Sequence, residues 1–402
     1  MKFGFIAHAR GVGELRRLFL LRHTISLIPF KSSKVIMSRS LEEGLVKDIY
    51  TYRKVYSPQQ TGCSGKVFCV FLTPEQLLGN QTRAVELGNQ TRAVELVVDA
   101  CCQAERWGAE IVGLGAMTAV IGSRGKEINA HSPVPATTGN SLTVYSSLKA
   151  FKEIVRKLEI DVSEHKIVIV GFPGSITLAI AKSLLKEGLN LVLVSRRQTS
   201  FLQRFLSHLD VTAGREVEIT GDLSDALKKG KIIFSATSTG NIIDPDTLQP
   251  GSIVFDIAQP RDVINKRSKR KDILIIDAGT VRLPKTKGTA FHSVSVPFFP
   301  FFPFFPFPVW AWEYCWPFFV NNSGVGPLHI PSCLAETITL ALEERRESFS
   351  LGRELDLDRI KEIGGLSEKH GFIFDHFLSF EREIKEENYE HTKRALKMSH
   401  GS

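Results

Sequence analysis

Short apolar runs rich in branched side chains recur through the middle of the chain: Lys166–Val170 (KIVIV), Leu191–Ser195 (LVLVS), Lys231–Ser235 (KIIFS), Ile253–Asp256 (IVFD) and Ile273–Asp277 (ILIID). Stretches with helical spacing, Ile176–Glu187 and Leu202–Leu209, lie among them. Runs that are apolar throughout are buried on both faces, and their alternation with helices is the mark of a parallel sheet covered on both sides. The pattern predicts an α/β chain: a doubly wound parallel sheet over 151–290, a separate N-terminal α/β substrate lobe over 1–150, and C-terminal helices over 330–383. A long helix is expected over Cys333–Glu347, with start signals at Pro331 and Ser332, and another after Leu355. The charged stretch 384–402 is expected to fray as a tail.

Two segments break the pattern. Residues 79–87 and 88–96 both read GNQTRAVEL, an identity too complete for a structural repeat, and read as a recent tandem duplication. Nine residues are about two and a half helical turns, so the extra copy rotates the helix face by about half a turn and has to bulge, loop out or lengthen the helix. The loop 291–329 carries an insertion at 297–320, PFFPFFPFFPFPVWAWEYCWPFFV, whose six prolines remove helix donors and clash with the preceding turn. It is long enough to cross a bilayer but unfit to do so as a helix. An extended, aromatic segment is expected there, with peripheral membrane contact left open.

The composition, 43% hydrophobic and 23% charged, is that of a folded globular protein rather than a disordered one. A net charge of +8 favours acidic partners such as nucleotides or phosphorylated carriers, while zinc-finger spacing, RNP signatures and long basic runs are all missing, so no nucleic-acid partner is expected. Cysteines stand at 63, 69, 101, 102, 315 and 333 with no CxxC pair. With no cleavable signal visible, they read as reduced thiols of a cytoplasmic protein, and no metal-ligating cluster is read.

The first strand of the middle region, KIVIV, runs into Gly171-Phe172-Pro173-Gly174-Ser175-Ile176-Thr177 and then a helix. A strand, a glycine turn and a helix start bring amide N–H groups and a positive helix end against a pyrophosphate, which makes 151–290 a candidate Rossmann domain. Gly171, Gly174, Ser175, Ile176 and Thr177 are the candidate cofactor contacts, with Thr177 where a third glycine often stands. After the second strand come Ser195-Arg196-Arg197, two cations able to clamp a 2′-phosphate where NAD binders carry an acid. NADPH is therefore the expected cofactor. Ala236, Thr237 and Ser238, and Ala278 and Gly279, follow later strand ends and are expected to border it.

The Rossmann unit resembles the shikimate dehydrogenase and glutamyl-tRNA reductase superfamily. The opening MKFGFIAH, Gly113–Thr118 (GLGAMT), Thr137–Ser141 (TTGNS), Ile243–Leu248 (IDPDTL) and Ser332–Thr337 (SCLAET), in this order, resemble the long-chain acyl-(acyl-carrier-protein) reductases of cyanobacteria and their bacterial relatives. That resemblance implies reduction of a fatty acyl thioester, on acyl carrier protein or coenzyme A, to an aldehyde with NADPH, through an acyl-enzyme on a cysteine. It also implies that Gly113, Gly115, Thr138, Gly139 and Asn140 face the nicotinamide across a cleft. The family's nucleophile follows shortly after the last Rossmann strand, where this chain has Gly279-Thr280-Val281-Arg282-Leu283-Pro284 and no cysteine. Cys333, opening a helix whose dipole lowers a thiol pKa, is the substitute candidate nucleophile. Two alternatives stand beside this reading: a shikimate-dehydrogenase-like ketone reductase, although the NVTxPxK segment is absent, and a catalytically degenerate NADP-binding protein.

Overall fold

The computed structural model describes residues 1–8, 46–59, 61–70, 72, 74–78, 86–196, 216–266, 270–284, 290–292 and 329–398. Arg197, the Leu202–Leu209 helix, the 297–320 insertion with Cys315, and most of the first GNQTRAVEL copy lie outside these residues. The second copy falls inside a single helix, α1 (Glu86–Arg106).

Five of the six strands of one sheet are the apolar runs of the sequence: β6 (Lys166–Val170), β7 (Asn190–Val194), β9 (Ile232–Ser235), β10 (Ile253–Asp256) and β11 (Leu274–Asp277). The sixth is the edge strand β8 (Val217–Thr220), which is only half-buried. All pairings are parallel, in the order β11-β10-β9-β6-β7-β8. Chain order therefore reverses between β6 and β9, the switch point beside which ligands of open sheets bind. Alternate residues of each strand enter different cores. Ile167, Ile169, Leu191, Leu193, Phe234 and Phe255 pack on one side, Val168, Val170, Val192, Val194, Ile233 and Val254 on the other. Phe234 and Phe255 stack at 4.8 Å between centroids. The first of these cores takes Leu178, Ile180 and Leu184 from helix α3 (Ser175–Lys186), and the second takes Ala226 and Leu227 from the short helix α4 (Leu223–Lys229).

The other sheet has the order β13-β2-β3-β1-β4-β5, where β1 is Lys2–His8, β2 Val46–Tyr56, β3 Gly62–Val70, β4 Ile111–Leu114, β5 Ala136–Thr137 and β13 Ala290–His292. Strand β1 runs parallel to β3 and β4, while β2 and β13 are antiparallel. Helix α1 covers one face through Val97, Ala100, Cys101 and Ala104. The other face, with Phe3, Phe5 and Val67, is covered by the C-terminal helices α5 (Ser332–Leu342) and α6 (Leu357–Lys369) through Leu334, Ile338, Ala341 and Ile363. Helix α5 stops five residues short of the expected Glu347 because Glu344 takes a left-handed φ of 53° just after it.

Helix α2 (Asn140–Leu158) runs through residue 150 and belongs to both halves: Leu142 is in the core of the N-terminal sheet, Phe151, Ile154 and Leu158 in that of the parallel sheet. The frayed tail expected from 384 onwards is instead helix α7 (Glu386–Met398), with Tyr389, Thr392 and Leu396 buried. Its three buried residues share one face at helical spacing, and Leu396 fills the space beside Gly251, where a Cβ would come within 2.9 Å. The charges of this segment are only its solvent side. Among the described residues no helix is long and apolar enough to cross a membrane.

Candidate functional site

A cleft of about 1240 Å³ opens at the switch point, between the C-terminal ends of the parallel strands and the N-terminal sheet. Its floor begins at Gly171, which has φ +94° and would drive a Cβ to 2.6 Å from the carbonyl oxygen of Ala236. Only glycine lets the loops after β6 and β9 approach so closely. The Gly174 N–H donates to Gly171 O at 2.9 Å, and helix α3 starts at once. Its first intrahelical bond, Leu178 N to Gly174 O, leaves the amides of Ser175, Ile176 and Thr177 for a ligand at the positive end of the helix. Thr177 shows why a third glycine is dispensable. It is fully buried away from the cleft, and its hydroxyl donates to Gly171 O and Gly174 O, both at 3.1 Å, knotting the turn.

Ser195 and Arg196, at the end of β7, line the cleft, as do Ala236, Thr237, Ser238 and Gly279. Ala278 does not: it is buried, and its carbonyl accepts from the hydroxyls of Ser146 and Ser147. It anchors α2 to the sheet instead. The strand-end loops are set by carboxylates that carried no signal beyond their position. Asp262 is fully buried and accepts from Ser235 Oγ at 2.6 Å, Thr237 N at 2.9 Å and Thr237 Oγ1. Asp256, in the cleft wall, accepts from the N–H groups of Ala258, Asp262 and Val263. Burial pushes the Asp256 carboxyl up to about 7; the three N–H groups oppose this and neighbouring Asp262 adds to it.

The cleft wall expected to face substrate is built around another buried carboxylate. Glu336 on α5 is fully buried and accepts from Thr137 Oγ1, from Ser350 Oγ at 2.7 Å and from Leu142 N at 2.8 Å. Thr137 Oγ1 in turn accepts from Gly139 N, and Ser350 Oγ from Ser141 N. Burial raises the Glu336 pKa against the pull of these donors. The TTGNS loop is thereby fixed to α5. Thr138 and Asn140 line the cleft, and Asn140 Nδ2 donates to Ser175 Oγ at 3.1 Å. A residue expected to face substrate thus touches one expected to hold the cofactor.

Two expected wall residues stand elsewhere. Gly139, at φ +71°, faces the backbone of Cys333, where a Cβ would fall 2.2 Å from its Cα. Gly113 faces Thr337, where a Cβ would fall 2.0 Å from Oγ1. Both let α5 press against the first lobe, while Gly115 remains in the cleft wall.

Cys333 lies in the cleft, near the start of α5. The strand before that helix, β14 (His329–Pro331), pairs antiparallel with β12 (Thr280–Arg282), and Ser332 N donates to Gly279 O at 2.9 Å. Cys333 is thus carried to the side of the Gly279–Thr280 segment, where the resemblance puts a nucleophile. Burial pushes its thiol up to about 11, against the pull of the Ala116 and Leu334 backbone amides, so it rests protonated. His8, unassigned in the sequence, also lines the cleft; its Nε2 accepts from Met117 N at 3.2 Å, which selects the tautomer carrying its proton on Nδ1. Elsewhere, exposed His131 contacts Glu127 O, and His329 sits 3.0 Å from His376. Among the described residues the other cysteines do not line this cleft, and Cys63 and Cys101 are buried and pushed up to about 12.

The shikimate/quinate 5-dehydrogenase family pattern matches residues 153–280. The chain is 35% identical over 404 residues to aminotransferase PigE of a Serratia species, covering 98% of this chain but only 42% of that protein. It is 24% identical over 293 residues to the long-chain acyl-[acyl-carrier-protein] reductase of Synechococcus elongatus, covering 69% of this chain and 74% of that one. Among solved structures, L-tryptophan dehydrogenase from Nostoc punctiforme aligns over 66% of this chain and 65% of its own, at 12% identity and a TM-score of 0.33. The family match begins within α2 and ends at the segment whose Gly279 carbonyl accepts from Ser332 N, so it encloses the glycine turn and every strand of the parallel sheet. Residues 153–280 are a Rossmann unit of the dehydrogenase and reductase kind, with a glycine turn that fits a nicotinamide dinucleotide.

Proposed function

We propose that this chain is an NADPH-dependent oxidoreductase that reduces a fatty acyl thioester, presented by acyl carrier protein or coenzyme A, to an aldehyde. The observation that carries the reading is the position of Cys333, in the dinucleotide cleft and held against Gly279 by the Ser332 amide. The likeness to the cyanobacterial reductase supports it, and the +8 charge suits an acidic carrier. An aminotransferase consumes a carbonyl compound, the product class of such a reduction, so the Serratia relative is chemically compatible.

The turn at Gly171–Thr177 would hold the pyrophosphate, Arg196 the 2′-phosphate, and Ala236–Ser238 with Gly279 the nicotinamide half. When bound, NADPH supplies the hydride that takes the acyl carbon to the aldehyde level. Cys333 Sγ attacks the acyl carbonyl; the carbon–sulfur bond to the carrier breaks and the carrier thiol leaves with the proton Cys333 gives up. After reduction the bond to Cys333 breaks, the aldehyde departs, and the released thiolate takes a proton from solvent, which restores the thiol. The Ala116 amide, already directed at Cys333, stabilises its thiolate form. Asn140, tied to Ser175, orients the carbonyl over the cofactor side of the cleft.

A second reading, direct reduction of a ketone without a covalent step, is favoured by the raised Cys333 pKa and the dehydrogenase family match. Mass spectrometry after incubation with an acyl thioester separates the two. An acyl adduct on Cys333, with NADPH oxidation abolished in Cys333→Ser, is the expected result. Turnover of acyl thioesters by Cys333→Ser, or no adduct and no turnover in the unaltered chain, defeats the thioester reading.

A further inference from the structure

The cleft carries a second feature that the reaction above does not use. Arg124 and Arg353 both line it, both half-buried, on the substrate side of the Rossmann turn. Their backbones are joined, since Gly352 N donates to Arg124 O at 3.0 Å. Arg353 is followed by Glu354, whose carboxylate pairs with Lys182 of α3 at 3.1 Å, so this segment is tied to the helix that starts at the glycine turn. The stem of Lys126 lies against Gly352, adding a third cation to the same edge. Arg124 also holds a left-handed φ of 58°, a conformation that a long side chain adopts only when its surroundings impose it.

Two guanidiniums brought together with part of their hydration removed repel each other, and an anion between them relieves that repulsion. Burial and the charge of Arg353 both lower the Arg124 pKa, the signature of such a crowded pair. We infer that Arg124 and Arg353 form a phosphate-binding clamp across the cleft from the Gly171–Thr177 turn. Two phosphates reach this place in the proposed reaction: the pyrophosphate of the dinucleotide, and the phosphate of the pantetheine arm that carries an acyl thioester. The second source rests on the function proposed above, whereas the clamp itself does not.

The test is calorimetric titration of the full chain with inorganic pyrophosphate, comparing the unaltered protein with Arg124→Gln, Arg353→Gln and the double variant. Binding weakened about tenfold or more by the double change is expected, with Arg124→Lys and Arg353→Lys together retaining most of it. Should a glutamine variant melt early, the lysine pair and the single variants carry the comparison. Two further arms identify the source. If the clamp holds the cofactor, the Kd values for NADPH and NADH rise by the same factor. If it holds the carrier arm, the KM for acyl-coenzyme A rises while that for an acyl-N-acetylcysteamine thioester, which has no phosphate, stays constant. Pyrophosphate affinity unchanged in a double variant with normal melting, or no pyrophosphate binding by the unaltered chain, overturns the clamp. Failure of the unaltered chain to bind NADPH would instead remove the proposed function and leave the pyrophosphate titration to judge the clamp.

Discussion

Replacing Glu336 with glutamine tests how the substrate wall is held. Among the described residues the hydrogen-bond partners of this fully buried carboxylate are donors, with Thr137 Oγ1 and Ser350 Oγ on one oxygen and Leu142 N on the other. Both hydroxyls also accept from backbone amides, Gly139 N and Ser141 N, and direct their protons toward Glu336. An ionised carboxylate satisfies all of them. A carboxamide has one oxygen, so its NH2 must face a donor, losing at least one charge-assisted bond and stranding a buried N–H or O–H. A bond to a charged group contributes ~1.5–3 kcal/mol net, and a stranded buried donor costs ~1–3 kcal/mol. The expected loss is therefore about 2–5 kcal/mol, a large share of the ~5–15 kcal/mol that holds a domain together. At about 2–4 °C per kcal/mol for a domain of this kind, the thermal midpoint followed by circular dichroism should fall by roughly 4–20 °C. The Thr137–Asn140 loop should loosen from α5 and NADPH affinity should drop through Asn140 and Ser175. If Glu336→Gln melts within ~2 °C of the original, the carboxyl is protonated in the fold, as its burial favours, and glutamine mimics it; an anionic anchor is then refuted.

Four further outcomes are expected. Arg196→Ala should raise the KM for NADPH by about tenfold or more and leave that for NADH nearly unchanged, and equal rises would remove the 2′-phosphate contact. Asp256 has a folded pKa of about 7, above the ordinary unfolded value, so its stabilising contribution is complete below about pH 4 and is lost as the pH rises to about 7. Urea unfolding between pH 5 and 8 should show this decline, flattened in Asp256→Asn; an unchanged slope would contradict it. Gly171→Ala combines a φ of +94° with a 2.6 Å clash on Ala236 O, and should cost ~1–3 kcal/mol and abolish dinucleotide binding in a fluorescence titration. Leu396→Ala should lower stability by ~2–5 kcal/mol, whereas an unstructured tail would tolerate it without effect.

The parallel sheet was legible because each of its inner strands is apolar on both faces, a pattern that little besides a doubly covered sheet produces. The glycine turn was legible too, since Gly171 and Gly174 answer a backbone requirement that only their spacing after KIVIV expresses. The substrate side was not. Gly113 and Gly139 look like ligand-loop glycines, yet their missing side chains make room for Thr337 and Cys333, some two hundred residues away. Glu336, Asp256 and Asp262 are indistinguishable in sequence from solvated acids, and only tertiary burial gives them their roles. The tail misled because its charges dominate the composition, while three residues at helical spacing, Tyr389, Thr392 and Leu396, decide where it lies.

Helix α2 begins with Asn140 at the substrate wall and ends with Leu158 beneath the parallel sheet. A rigid rod shared by two cores leaves no seam at which to cut. A fragment ending or starting near residue 150 would sever the rod at mid-length and strip apolar cover from the half it leaves behind. The halves are therefore not interchangeable modules, and grafting a different N-terminal half onto this Rossmann half would succeed only if the whole of α2, together with α5, travels with the graft.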